Sequence, residues 1–306
     1  MNTLIPIVAS TVIAATPLIY AALGETITEK AGMLNLGVEG MMLIGAVTGF
    51  AVGINSGSLF VGFTAAAAAG IAASLIFAVL TLTMQTNQVA TGLALTLFGV
   101  GFSAFVGHDY AGMPIKALPH MEIAGISDIP VIGPLLFNYD LMVYLTIPLF
   151  FAVHWFLTRS HVGLKMRAIG ESPSVAHSIG YPVIAVRYLA VMFGGAMAGI
   201  AGAYLSLVQT PMWVEGMTAG KGWIALALVV FGTWRPGRVV LGALLFGGVT
   251  VMQLHVQGFG FSIPAEFLSM LPYIATVVVL VIICRNPKTI LLNQPASLGR
   301  SFHPDA

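Results

Sequence analysis

Long unbroken apolar runs constrain this chain more than any other feature. Crossing the hydrocarbon core of a membrane takes about 20 apolar residues as a helix. Seven stretches stand out: Ile5–Leu23, Leu59–Met84, Val89–Val106, Leu141–Leu157, Val183–Leu207, Val239–Val256 and Met270–Cys284. Met41–Ile54 is short and needs the approach Gly37–Gly40 to reach across. Trp223–Phe231 is too short alone; it crosses only if its helix starts near Met212 and tolerates Gly216, Gly220 and Gly222. Barrel strands would alternate apolar and polar residues with period two, and these runs are continuous. The expected fold is therefore an all-α polytopic membrane protein with about nine transmembrane helices, the one near Trp223 a candidate for a broken helix. Composition agrees: 58% of residues are hydrophobic and 8% charged, where soluble domains carry roughly 25% charged residues. So few charges build no water-facing surface, and lipid must cover most of the chain.

Lys and Arg positions set the orientation. Arg159, Lys165 and Arg167 lie in the loop 159–182, Arg235 and Arg238 in the turn Thr233–Arg238, and Arg285, Lys288 and Arg300 in the tail; these segments should be cytoplasmic. The loop 107–140 sets Lys116 against Asp109, Glu122, Asp128 and Asp140 and should face outward. Nine crossings then join the assignments without conflict, with the C-terminus inside and the N-terminus outside. Eight crossings plus a re-entrant segment near Trp223 would strand Arg235 and Arg238 outside. The first basic residue is Lys30, so the opening run reads as a retained span rather than a cleaved signal. The whole of 1–306 reads as one transmembrane domain, with no segment able to fold a nucleotide-binding domain.

The loop 159–182 carries the most local information. Ser172 suits an N-cap, Pro173 the first helical position and Gly180 a C-terminal cap, which predicts a short helix over Pro173–Ile179. A second apolar piece, with Leu164, Met166 and Ile169, precedes it. Docking on another protein and lying on lipid headgroups both fit this pattern.

Polar residues within apolar segments are costly in lipid and usually face a cavity or a partner. Asn35, Glu39, Asn87, Gln88, Thr91, Gln209, Trp213, Glu215, Lys221 and Trp223 qualify; taken singly, each is accounted for somewhat better by a solvated helix end or a structural hydrogen bond within the bundle, while the functional reading is that some of them line the route. Glu39 and Trp223 matter most, because each sits where a glycine-interrupted segment enters the membrane, and broken helices mark transport sites. Gly195 and Gly199 form a GxxxG pair suited to close helix packing inside the chain. The stretch Gly216–Gly222 fails as a phosphate loop: its glycines are one residue too close and Gly222 stands where Ser or Thr is needed. The histidines form no three-ligand set, and the lone Cys284 holds no metal or intrachain disulfide, so no metal site is expected. The net charge of +1 gives no basis for nucleic-acid binding.

The loop 159–182 resembles the cytoplasmic coupling region of ABC importer permeases in the ribose, branched-chain amino acid and nucleoside branch. Further matches are Glu29–Gly40, Asn87–Leu93, Glu215–Ala225 and Phe231–Pro236, spread in order over most of the chain. Nucleoside-type permeases resemble it most, with simple-sugar permeases next; ribose-type proteins have an additional N-terminal span. The resemblance implies a non-catalytic subunit that binds no cofactor, ATP being bound by a separate cytoplasmic ATPase. It implies coupling to that ATPase through Gly163, Arg167, Gly170, Glu171, Pro173, Ala176 and Gly180. It also implies a second permease subunit, identical or related, an extracytoplasmic solute-binding protein and a bacterial inner-membrane location. Asn35, Glu39, Asn87, Gln88, Trp213, Glu215 and Trp223 are the expected solute-path residues. An ion-coupled secondary transporter would place carboxylates or histidines mid-membrane as relays, and the acidic residues here sit near span ends or in loops. A membrane-embedded enzyme would need convergent catalytic groups, and none is evident.

Overall fold

The computed structural model describes residues 4–121, 133, 137–258, 267, 270–271, 274–275, 277–278, 281 and 293–303. Helices α1 (Leu4–Lys30), α2 (Val38–Ser56), α3 (Leu59–Ala78) and α4 (Gln88–Gly107) come first. Helix α5 (Leu141–Arg159) follows, then two short helices, α6 (His161–Glu171) and α7 (Pro173–Ser178). Then come α8 (Val183–Tyr204), α9 (Lys221–Phe231) and α10 (Pro236–Gly258). Helices α3 and α8 each end in a wider π-turn, Val79–Thr83 and Leu205–Gln209.

Seven of the described helices are long and apolar enough to cross a membrane. The expected short span near Met41 is a 19-residue helix starting at Val38. The segment near Trp223 becomes an 11-residue helix, about 16 Å long at 1.5 Å per residue, which is half a bilayer. Its extension back to Met212 is not helical, because Gly216, Ala219 and Gly220 take positive φ. Met270–Cys284 lies for the most part outside the described residues, so nine crossings are not established.

Helix α8 is the central post, packed on α1, α2 and α3. In lipid, helix association rests on close backbone approach rather than on expulsion of water. A Cβ on Gly199 would lie 2.2 Å from the Ala66 carbonyl oxygen, and one on Gly45 would lie 2.4 Å from Gly199 itself. Gly195 faces Gly70 and Ser74 of α3. The GxxxG pair is thus spent inside the chain. Asp140 caps α5, accepting from the amides of Met142 (2.9 Å) and Val143 (3.2 Å), and also accepts the Tyr204 hydroxyl at 2.9 Å.

The segments read as cytoplasmic gather at one end of the bundle. The Lys30 ammonium donates to the Asn293 carbonyl (2.6 Å), Arg235 donates to the Asn293 side chain (3.2 Å), and the Ser297 amide donates to the Gly170 carbonyl (3.0 Å). Residues of the loop 107–140 meet at the other end, where Asn55 donates to Tyr110 (3.0 Å) and the Ile115 amide to the Pro211 carbonyl (3.0 Å).

Candidate functional site

Two helices begin inside the bundle rather than at its surface. Residues 31–37 connect α1 to α2 without helical structure, yet Ala31, Met33 and Asn35 are fully buried. Such backbone is tolerated at membrane depth only where protein satisfies its polar groups. Here side chains do so. The Ala31 carbonyl accepts from Arg187 (3.1 Å), the Leu34 amide donates to Gln88 (2.8 Å), the Asn35 amide to Glu25 (3.4 Å) and the Gly37 amide to Asn35 (2.9 Å). The Leu36 carbonyl accepts the Thr96 hydroxyl at 3.0 Å.

The start of α2 then meets the start of α9. The Glu39 carboxylate, 6% exposed, accepts from the Thr218 hydroxyl (2.6 Å), the Gly220 amide (2.8 Å) and the Gly222 amide (2.6 Å). The two amides are free donors at the opening of α9, and a negative charge there is favoured by the helix dipole. A Cβ on Gly222 would lie 2.5 Å from the Glu39 Cα, so only glycine admits this approach. The other end of α9 is fixed near the end of α1 by Trp234, whose indole donates to Glu29 at 2.5 Å. The length of α9 therefore sets Glu39 roughly 16 Å below that end of the bundle.

The expected solute-path residues divide along the bundle axis. Asn35 and Glu39 lie at the mid-depth junction. Trp213 sits on α4 so closely that a Cβ on Gly107 would lie 2.2 Å from its ring, and Glu215 is exposed in the loop before α9. Trp223 is 36% exposed on the outer face of α9. Asn87 and Gln88 stand at the far end: Asn87 caps α4 by accepting the Ala90 amide (3.0 Å), and Gln88 holds Leu34. Gln88 thus meets the residue next to Asn35, and among the described residues no hydrogen bond joins Asn87 or Gln88 to Glu39, Trp213, Glu215 or Trp223. The α4 face that meets Gly40 at Gly99 and Trp213 at Gly107 carries Ser103 between them. The Ser103 hydroxyl and the Trp213 indole nitrogen are buried without a partner among the described residues, which leaves hydrogen-bonding capacity between the junction and the end that carries the loop 107–140.

The short helix predicted over Pro173–Ile179 forms as α7, ending one residue earlier, and the apolar piece before it is helical too, as α6. Ser160 caps α6 by accepting the Gly163 amide at 2.9 Å, and Gly163 lies against the Phe156 carbonyl. Gly170 lies against the Lys30 carbonyl, and Gly180 turns the chain at φ +87°. Glu171 is exposed at the end of α6, and Pro173 opens α7. Ala176, however, points inward at 2% exposure, packed with Ile169 and Val183. The outward apolar residues are Val162, Leu164, Val175 and Ile179. Arg167 is partly buried, and its Nε has no partner among the described residues.

Sequence reasoning passed over Arg187 as a structural residue. It is fully buried and joins the Ala31 carbonyl to the Ser297 hydroxyl (3.0 Å). The signal was present, since an arginine inside an apolar span is a site by default; its partners, 110 and 156 residues away, were not legible.

Comparison with known proteins fits this architecture. The chain is 40% identical to a putative glucose ABC transporter permease of Haloferax volcanii, over 96% of each chain. It is 31% identical to a nucleoside ABC transporter permease of Lactococcus lactis, over 92% of each, and 32% identical to a guanosine ABC transporter permease of Bacillus subtilis, over 90% of each. No solved structure matches. Residues 7–282 match the family described as the permease component of branched-chain amino acid transport systems. With an all-helical, membrane-embedded bundle and relatives of matching length, the chain belongs to this family of ABC transporter permeases.

Proposed function

We propose that this chain is the path-forming subunit of an ATP-driven importer for a neutral, hydroxyl-rich solute, a simple sugar. The observation that carries the solute class is Glu39 at the start of α9. A half-helix N-terminus at mid-membrane attracts the anionic group of a solute. Here the chain's own carboxylate takes those donors, which suits a solute without a carboxylate. Unpartnered hydroxyl and indole groups at Ser103 and Trp213 suit a hydrogen-bonding one. The 40% identity to a putative glucose permease favours a sugar over the nucleoside first expected. The relatives at 31% and 32% identity keep nucleosides as the second reading, since both solutes present a hydroxyl-bearing ring.

In this reading Asn35, Glu39, Trp213, Glu215 and Trp223 line or shape the route, while Asn87 and Gln88 fix the helix ends beside it. The loop 159–182 faces the cytoplasm of a bacterial inner membrane, with the N-terminus outside. There it receives an ABC ATPase that binds the ATP, and this subunit hydrolyses nothing. A solute-binding protein delivers from outside, and a second permease subunit completes the path.

The test is uptake of labelled glucose and of guanosine by cells expressing the chain together with the ATPase that co-purifies with it. ATP-dependent glucose uptake is the expected result. Guanosine uptake alone would move the solute to nucleosides. Uptake that persists without any ATPase and collapses with the ion gradient would replace this reading with a secondary transporter.

A further inference from the structure

A basic cavity opens at the end of the bundle that carries the loop 159–182. It has a volume of about 540 Å³, and Lys30, Arg167, Arg235, Arg238 and His154 are among the residues that line it. Its walls come from the ends of α1 and α5, from α6 and from the first turn of α10. No carboxylate is among its described lining residues.

Its cations are held by neutral groups. Lys30 donates to the Asn293 carbonyl (2.6 Å), Arg235 to the Asn293 side chain (3.2 Å) and Arg238 to the Thr233 hydroxyl (2.9 Å). The Arg167 Nε is buried without a partner among the described residues. The one ion pair among the described residues, His108 with Asp109, belongs to the other end. Four cationic side chains around one cavity repel one another; Glu171 and Glu29 act on Lys30 from nearby, but no carboxylate among the described residues lies within pairing distance of any of the four. Pro236 and Gly237, which also line the cavity, begin α10, so the positive end of its dipole adds to the field. Arginine forks match phosphate oxygens in geometry as well as in charge.

We propose that this cavity binds a phosphate-bearing anion. The headgroup of an anionic phospholipid in the adjoining leaflet and free phosphate share the required chemistry. Depth favours the lipid. His154, Leu157 and Thr158 of the cavity wall lie within the last two turns of the membrane-length helix α5, where headgroups sit, and basic pockets between helices at this level are headgroup sites.

Thermal unfolding of the purified full-length permease in neutral detergent tests the site. Phosphatidylglycerol, phosphatidylcholine and inorganic phosphate are each added to the wild type and to Arg235→Gln/Arg238→Gln. Phosphatidylglycerol is expected to raise the wild-type Tm by about 2–4 °C beyond phosphatidylcholine, and the double variant to lose most of that difference. Lys116→Gln, in the loop at the other end, should keep it. A shift with inorganic phosphate but not with the lipid would keep the site and make free phosphate its ligand. Equal shifts in wild type and double variant, or none with either anion, would overturn the proposal. Should the double variant fail to fold, native mass spectrometry of the wild type decides: retained phosphatidylglycerol, displaced by phosphate or by raised salt, supports the site, and its absence after purification from anionic-lipid membranes refutes it.

Discussion

Glu39 and Gly222 hold each other in place: the carboxylate accepts the glycine amide at 2.6 Å, and the missing Cβ lets the two backbones meet. This contact joins two helices that both start at mid-depth, 183 residues apart in sequence. Charge-assisted hydrogen bonds contribute about 1.5–3 kcal/mol each, and Glu39 accepts three. Their sum is not additive, but Glu39→Ala should cost at least about 3 kcal/mol and take uptake to background. Glu39→Gln keeps an acceptor and should lose less. Thermal unfolding in detergent reads the stability; an unchanged midpoint in Glu39→Ala would show that the carboxylate does not carry the junction.

Gly222→Ala addresses the same junction without touching charge. The added methyl would sit 2.5 Å from the Glu39 backbone, and overpacking of this kind costs about 1–3 kcal/mol. Uptake should fall strongly while the subunit still inserts. Ala at Gly101, where a Cβ meets nothing within 4 Å, is the matched control and should transport normally.

Much of this was legible in the chain, for physical reasons. Apolar length gives the seven membrane-length helices among the described residues, because lipid admits no other solution, but not that the segment near Trp223 is only 11 residues long. The helix Pro173–Ser178 follows from Ser172, Pro173 and Gly180, all local signals. Glu39 and Trp223 could be singled out as residues at glycine breaks, but their fates differ: Glu39 is sealed inside and Trp223 faces out. Nothing local separates them, since the donors that hold Glu39 come from α9. The spacing of Gly216–Gly222 does not match a nucleotide loop, yet two of its amides cradle an anion, supplied by this chain itself. The return of residues 293–303 onto Gly32, Gly170 and Arg187 leaves no periodic pattern to read.

The outward residues of α7 give a test of coupling that Ala176 does not. Ala176 is packed against Ile169 and Val183, so a charge there unseats the helix whatever the helix binds. Val175 and Ile179 are 60% and 65% exposed. Val175→Glu and Ile179→Glu should insert normally and lose co-purification with the ATPase, and uptake should fall at least about tenfold, a loss of 1.4 kcal/mol or more of docking energy. Normal uptake in both variants would remove α7 from the docking surface and leave it as a helix lying on headgroups.

Arg187 carries the last prediction. It is buried with no carboxylate in pairing range among the described residues, holding the Ala31 carbonyl on one side and the Ser297 hydroxyl on the other. Arg187 thereby ties residues 31–37 to the tail, and through them the start of α2 to the end that carries the loop 159–182. Replacing it with Met keeps the apolar bulk and leaves two buried groups short of a donor, at about 1–3 kcal/mol each. The Ser297 hydroxyl still donates to the Gly170 carbonyl at 2.6 Å, so the tail should loosen rather than depart. Trypsin cleavage at Arg300 in detergent should then speed up at least several-fold in Arg187→Met. In Arg187→Lys, whose ammonium reaches only one of the two acceptors, the rate should lie between. Equal rates in all three proteins would mean that Ser297 and Gly170 fix the tail alone, and that the buried charge of Arg187 serves the segment 31–37 only.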